Sequence, residues 1–187
     1  MPPNFSAVYG LLFCAGVYFS GNVKWWVPLG IVFLTDLALG VYYHVRIGTP
    51  ILSLYLGVNY LGYLGILGIA RFFRPHHSLW RLIGGSLLGA ILFYLITNTA
   101  AWFWNPFHNP EYTRDLMGWI IALTKGTRGY PETWQFFRNT LLSSGLFTAL
   151  FAGAWKWVEA QEPEEEEEEE APASASSDPE PEGEPAQ

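Results

Sequence analysis

The chain has 187 residues, of which 50% are hydrophobic and only 14% charged, and its net charge of −7 averages two unlike regions. Residues 162–187 hold 12 of the 17 acidic residues and no Lys or Arg, while the first 161 residues carry all ten basic residues against five acids, a body of +5. Long charge-free stretches argue against an ordinary soluble domain, the lack of a basic face against a nucleic-acid binder, and the lone Cys14 against a disulfide framework or a Cys-based metal site.

A bilayer core needs about 20 mostly apolar helical residues, and the body offers five such stretches, at residues 5–19 (short), 25–45, 51–72, 82–104 and 136–158. Their apolar runs are continuous rather than alternating, so the expected class is an all-α membrane bundle over residues 1–158, not a barrel. Trp and Tyr gather at the ends of the stretches, as at Trp25, Trp26, Tyr42, Tyr43, Trp155 and Trp157, where amphipathic rings suit a membrane interface. The start, MPPNFSAVYG, has no basic segment ahead of its apolar run and does not read as a secretory signal.

Small residues recur where helices would approach one another. Gly62, Gly65 and Gly68 punctuate the third stretch, Gly85 and Gly89 form a GxxxG in the fourth, and Gly145, Ala149 and Gly153 form a row in the fifth. The connection RFFRPHHSLWR carries Arg71, Arg74 and Arg81, which favours the cytoplasm. Alternation adds Lys24 and Lys156 to that side and leaves five cations on the other, so the count alone is a tie. Residues 105–135 are too polar to cross. Within them RDLMGWIIALTK reads as a short helix capped by Thr113 and stopped at Gly126, lying on the membrane surface or over a cavity mouth. The tail from residue 159, rich in Glu, Pro, Ala and Ser, is expected to be disordered and solvated.

Few polar groups interrupt the apolar body. Asp36 lies near the middle of the second stretch, and an ionisable side chain at that depth is a functional candidate by default; the alternative is a carboxyl tied to a neighbouring helix for packing. Asn59, Asn98, Trp102, Arg138 and Asn139 are expected in the outer half of the bundle, beneath the 105–135 segment, with Asp36 lower. Aromatic walls with a few directed polar groups are the usual form of a small-molecule site. For each Asn alone the alternative is an interhelical hydrogen bond, and for Arg138 a snorkelling interfacial cation. His76 and His77 have no metal-ligand spacing, and no GxSxG, Walker or GxGxxG motif appears. The sequence therefore points to no catalytic residue, metal or cofactor, and to a protein that is not an enzyme.

The strings PPNFSAVYGLLFCAGVYF, LTDLALG, LIGGSLLGAILFYLITNTAAWF, GWIIALTKGTRGYPETW and FFRNTLLSSGLFTALF resemble an uncharacterised family of small bacterial inner-membrane proteins over about residues 2–155. That family is similar to the substrate-binding S components of energy-coupling-factor (ECF) transporters. The resemblance implies a six-helix bundle with cytoplasmic termini, a small solute captured from outside, and a transmembrane coupling subunit driven by ATPases. It also implies a cytoplasmic 71–81 connection, which resolves the tie. Two departures stand out. Family members usually carry another helix before the PPNF-like motif, and their pattern tends to an Asp where this chain has Ser144. The expectation is thus an S-component-like binding subunit whose pocket is lined by Asp36, Asn59, Asn98, Trp102, Arg138 and Asn139. The rival is a structural or assembly protein whose acidic tail recruits a partner.

Overall fold

Apolar residues cover every side of VYGLLFCAGVY, and a helix of that kind belongs inside a protein rather than on its surface. In the computed structural model, which describes residues 3–51 and 54–161, this segment is α1 (Val8–Tyr18), and eight of its 11 residues are buried. Around it pack α2 (Val23–Ile47), α3 (Leu54–Ala70), α4 (Leu79–Trp104) and α6 (Thr133–Glu159), with the short α5 (Leu116–Thr124) laid across α4 and α6. The described residues form six helices and no strand. Leu12, Phe13 and Cys14 of α1, Ile66 and Leu67 of α3, and Leu82 of α4 make the centre of the core.

Three helices, α2, α4 and α6, are long and apolar enough to cross a membrane. The other two expected stretches are shorter. At 1.5 Å rise per residue, the 11 residues of α1 extend only about 16 Å and the 17 of α3 about 25 Å. The chain leaves α1 where Phe19 turns to extended geometry and Gly21 takes φ +56°, and α3 stops at Ala70, where Phe72 and Phe73 bond back in a tight turn. The outer surface is apolar as well. Along α2 only Pro28 and Val32 are buried, while Trp26, Leu34, Val45 and Ile47 are 65–78% exposed. Apolar surface of that extent needs lipid or a partner to cover it.

Only some of the small residues set helix spacing. A Cβ on Gly85 would lie 2.5 Å from the Phe73 ring and 2.7 Å from Phe13, and one on Gly62 would lie 2.5 Å from Phe93. Gly68 and Gly153 face open space. Gly10 lets the backbones of α1 and α6 approach, since a Cβ there would meet the Ser144 carbonyl at 2.9 Å and the Thr148 nitrogen at 3.0 Å. Beside it, three buried hydroxyls join α4 to α6: Ser86 and Ser144 lie 2.6 Å apart, and Thr148 donates to Ser86 at 2.7 Å. In a membrane interior such bonds hold helices together because no water competes for them.

The bundle has two chemically distinct ends. At one, Lys156 near the end of α6 donates to the Pro75 carbonyl at 3.1 Å, so the basic 71–78 connection and the C-terminal end of α6 lie together. His77 accepts the Arg74 amide there at 3.1 Å; desolvation, then Arg81, His76, Arg74 and Lys156, hold its imidazole below the usual range. At the other end, the start of α1, the end of α4, α5 and the start of α6 converge. The acidic tail expected to be disordered, residues 162–187, lies outside the described residues.

Candidate functional site

Residues three and four apart share a helix face, and at this second end four helices turn such faces toward one hollow. From α4 come Tyr94, Thr97, Asn98 and Ala101, spaced i, i+3, i+4, i+7; from α3 come Asn59 and Tyr63; from α6, Thr133, Phe136 and Thr140; and from α1, Tyr9. The cavity they enclose measures about 830 Å³, within the range of small-molecule sites. Its floor is shielded from water, with Tyr9 6%, Phe93 8% and Thr140 2% exposed, whereas Phe107 and Tyr130 at its rim are 80% and 75% exposed. It is a pit with a mouth.

Two loops build the mouth. The first leaves α4 at Asn105, whose left-handed backbone (φ +38°) ends the helix. Asn105 and Asn109 then clasp each other: the Asn109 amide donates to Asn105 Oδ1 at 2.8 Å, and Asn105 Nδ2 donates to the Asn109 carbonyl at 3.0 Å. The second loop, residues 125–132, turns at Gly126, where φ is +73° and a side chain would strike Thr133. Glu111 and Arg128 link the two loops at 3.6 Å.

The short helix α5 sits beside this mouth rather than over it, and none of its residues lines the cavity. It is held to α4 by the Tyr94 hydroxyl, which donates to the Leu123 carbonyl, and by Trp119 Nε1, which donates to Thr99 at 3.0 Å. Its cap differs from the one expected. Asp115, not Thr113, accepts the Gly118 amide, at 2.7 Å, and Thr113 donates to Asp115 at 2.8 Å. A carboxylate is the stronger acceptor for the free amides and positive end of a helix, so the helix begins at Leu116. These bonds hold the Asp115 carboxyl below the usual range, the Gly118 amide foremost and the Thr113 hydroxyl next.

Of the six residues expected in the pocket, Asn59 and Asn98 are on its wall. Asn98 Nδ2 donates to the Tyr94 carbonyl at 2.9 Å, leaving its Oδ1 free, and the Asn59 side chain makes no hydrogen bond among the described residues. The other four lie elsewhere, each with its own partner. Trp102 Nε1 donates to the Thr113 carbonyl at 2.7 Å, fixing the α4–α5 loop. Arg138 is exposed and stacks 5.3 Å from the Trp134 ring. Asn139 is 4% exposed and donates to the Pro3 carbonyl at 2.9 Å, tying the N-terminal segment to α6. Asp36 accepts the Tyr60 hydroxyl at 3.1 Å, which joins α2 to α3.

Sequence reasoning missed most of the wall because it followed isolated amides and charges. The pattern that would have found it is the repeated i, i+4 pairing of an aromatic with a polar residue: Asn59 with Tyr63, Tyr94 with Asn98, Phe136 with Thr140. Those rings are packed in order. Tyr63 stacks on Phe93 (5.2 Å, 15°), Tyr9 meets Phe93 edge-on at 5.0 Å, and Tyr60 meets Tyr63 edge-on at 5.6 Å. Eight of the 19 lining residues are aromatic, four are Asn and four Thr, and none is charged. Such a wall can bind by stacking and hydrogen bonding but offers no general base or nucleophile pair. Among the described residues no three His, Cys, Asp or Glu side chains gather as a metal site.

Fold and cavity together define an all-helical protein that has three helices able to cross a membrane and a closed-bottomed pit between four of its helices. The chain belongs to the DUF6580 family, a family of unknown function, which it matches over residues 1–166. No curated protein and no solved structure matches it.

Proposed function

We propose that the protein is a multi-pass protein of the bacterial inner membrane that binds a small solute from outside the cell, in the manner of an ECF S component. The observation that carries this reading is the 830 Å³ cavity, which opens at the end of the bundle opposite the basic 71–81 connection. The cations divide evenly between the two ends, and the ECF-like resemblance together with the dense charge of the short 71–81 connection favours the cytoplasm for that end, so the mouth would face outward and the C-terminal tail inward. In this reading α1 is a buried central helix and all five long or apolar helices sit in the bilayer. Asn59 and Asn98 contact the solute; Asp36, Trp102, Arg138 and Asn139 brace the helices and loops around it. No covalent chemistry is involved. The exposed apolar face of α2 leaves room for a transmembrane coupling subunit, and ATPases would supply the energy.

The test is thermal stabilisation of purified protein by candidate solutes, since a ligand that binds only the folded state raises its stability. A solute-dependent rise that disappears in Ala101→Phe, a substitution that puts a ring into the cavity wall, supports the reading; no rise with any solute counts against it. A second reading, a structural or assembly protein, draws support from the Asp36–Tyr60 bond, which is a packing use of the embedded carboxyl. It expects Asp36→Asn to be harmless and removal of residues 162–187 to abolish the phenotype.

A further inference from the structure

The lining chemistry narrows the class of solute, and the following step rests on the small-molecule reading of the cavity. We propose that the ligand is an uncharged, flat heterocycle whose ring slides against the aromatic wall and whose donor–acceptor edge is read by Asn59 and Asn98. The absence of charge follows from the wall itself. Among the described residues no Asp, Glu, Lys or Arg lines the pit, and its floor residues Tyr9, Phe93 and Thr140 are buried. An ion brought there would lose hydration and gain no counter-charge, which is expensive.

Flatness and a polar edge follow from what is left unsatisfied. Among the described residues Asn59 makes no side-chain hydrogen bond, and Asn98 Oδ1 accepts none. An amide presents a donor and an acceptor side by side, so the partner that satisfies it carries the complementary pair on one edge, as a lactam, carboxamide or nucleobase does. A quaternary ammonium ion would leave both amides unpaired. It would also want a box of inward-facing rings, whereas Tyr63 and Phe93 cover one face of each other and Tyr9 presents to Phe93 edge-on.

The experiment uses the full chain purified in detergent, with melting temperature followed against probes matched in shape but not in charge. The probes are nicotinamide, nicotinate and 1-methylnicotinamide; adenosine, adenosine 5′-phosphate and 1-methyladenosine; thymine and orotate; and glucose as a neutral non-planar control. At least one neutral heterocycle is expected to raise the melting temperature, with its charged counterparts half-saturating at about tenfold higher concentration or more, the ratio that roughly 1.4 kcal/mol gives. Asn59→Leu should weaken the neutral probe by a similar factor. Because the Asn59 amide bonds to none of the described residues, the unliganded melting temperature should hardly move. Equal or stronger stabilisation by a charged analogue or by glucose overturns this inference while leaving a binding cavity in place. A flat response to every probe, unchanged in Ala101→Phe, removes both the inference and the reading beneath it.

Discussion

Gly10 governs how closely α1 can sit on α6. Its missing side chain lets the Ser144 carbonyl approach to where a Cβ would be only 2.9 Å away, and that obstacle is backbone, which cannot rotate aside. Gly10→Ala should therefore destabilise the bundle by about 1–3 kcal/mol, the usual cost of overpacking. Gly68→Ala, into open space, should lie within about 0.5 kcal/mol of the parent. Unfolding in detergent at equal protein concentration compares them. The same contact region holds the Ser86–Ser144–Thr148 hydroxyls. Thr148→Val removes one donor from that group and should cost about 0.6 kcal/mol, up to roughly 1.7, as interhelical bonds in membranes do. A loss well above that range would show that the cluster acts as a unit.

At the scale of elements, α5 depends on its first turn. Asp115 accepts the Gly118 amide and is itself steadied by Thr113. Its folded carboxyl titrates below the unfolded one, so the unfolded chain takes up the proton first as pH falls. The stabilisation is complete above the unfolded pKa and is lost as pH drops through the folded one. Amide exchange across residues 116–124, corrected for the intrinsic pH dependence of exchange, should accelerate relative to α4 in acid. Asp115→Ala should show the faster exchange already at neutral pH and lose the pH dependence. Asp115→Asn, which keeps a capping oxygen, should lie between the two. Loosening α5 should also loosen the mouth, because Trp102 is pinned to Thr113 and Tyr94 to Leu123.

For the whole molecule the decisive question is which end faces outward, and the chain contains its own control. Cys14, its single cysteine, is 1% exposed and should not react with polar thiol reagents. Phe107→Cys places a thiol at the cavity mouth and Arg74→Cys places one in the basic connection at the opposite end. A membrane-impermeant maleimide applied to intact cells should label the first and spare the second, with both labelled after permeabilisation. The reverse pattern would turn the mouth to the cytoplasm and end the uptake reading.

Composition and hydropathy along the chain determined a good deal unaided: helices throughout, their approximate positions, the polar insert between α4 and α6, and two cavity residues, Asn59 and Asn98. Those features are local, because apolar run length and periodicity are properties of neighbouring residues. Only the tertiary structure decided that Asn139 holds Pro3, across 136 positions of sequence, or that Asp36 meets Tyr60, 24 positions on. The same is true of α1 becoming the buried centre and of the aromatic faces of four helices converging on one hollow. A polar side chain in an apolar segment must find some partner, and the sequence shows that need plainly. Which partner meets it depends on helix rotation and packing, set by contacts such as Gly10 on Ser144 that join residues distant along the chain.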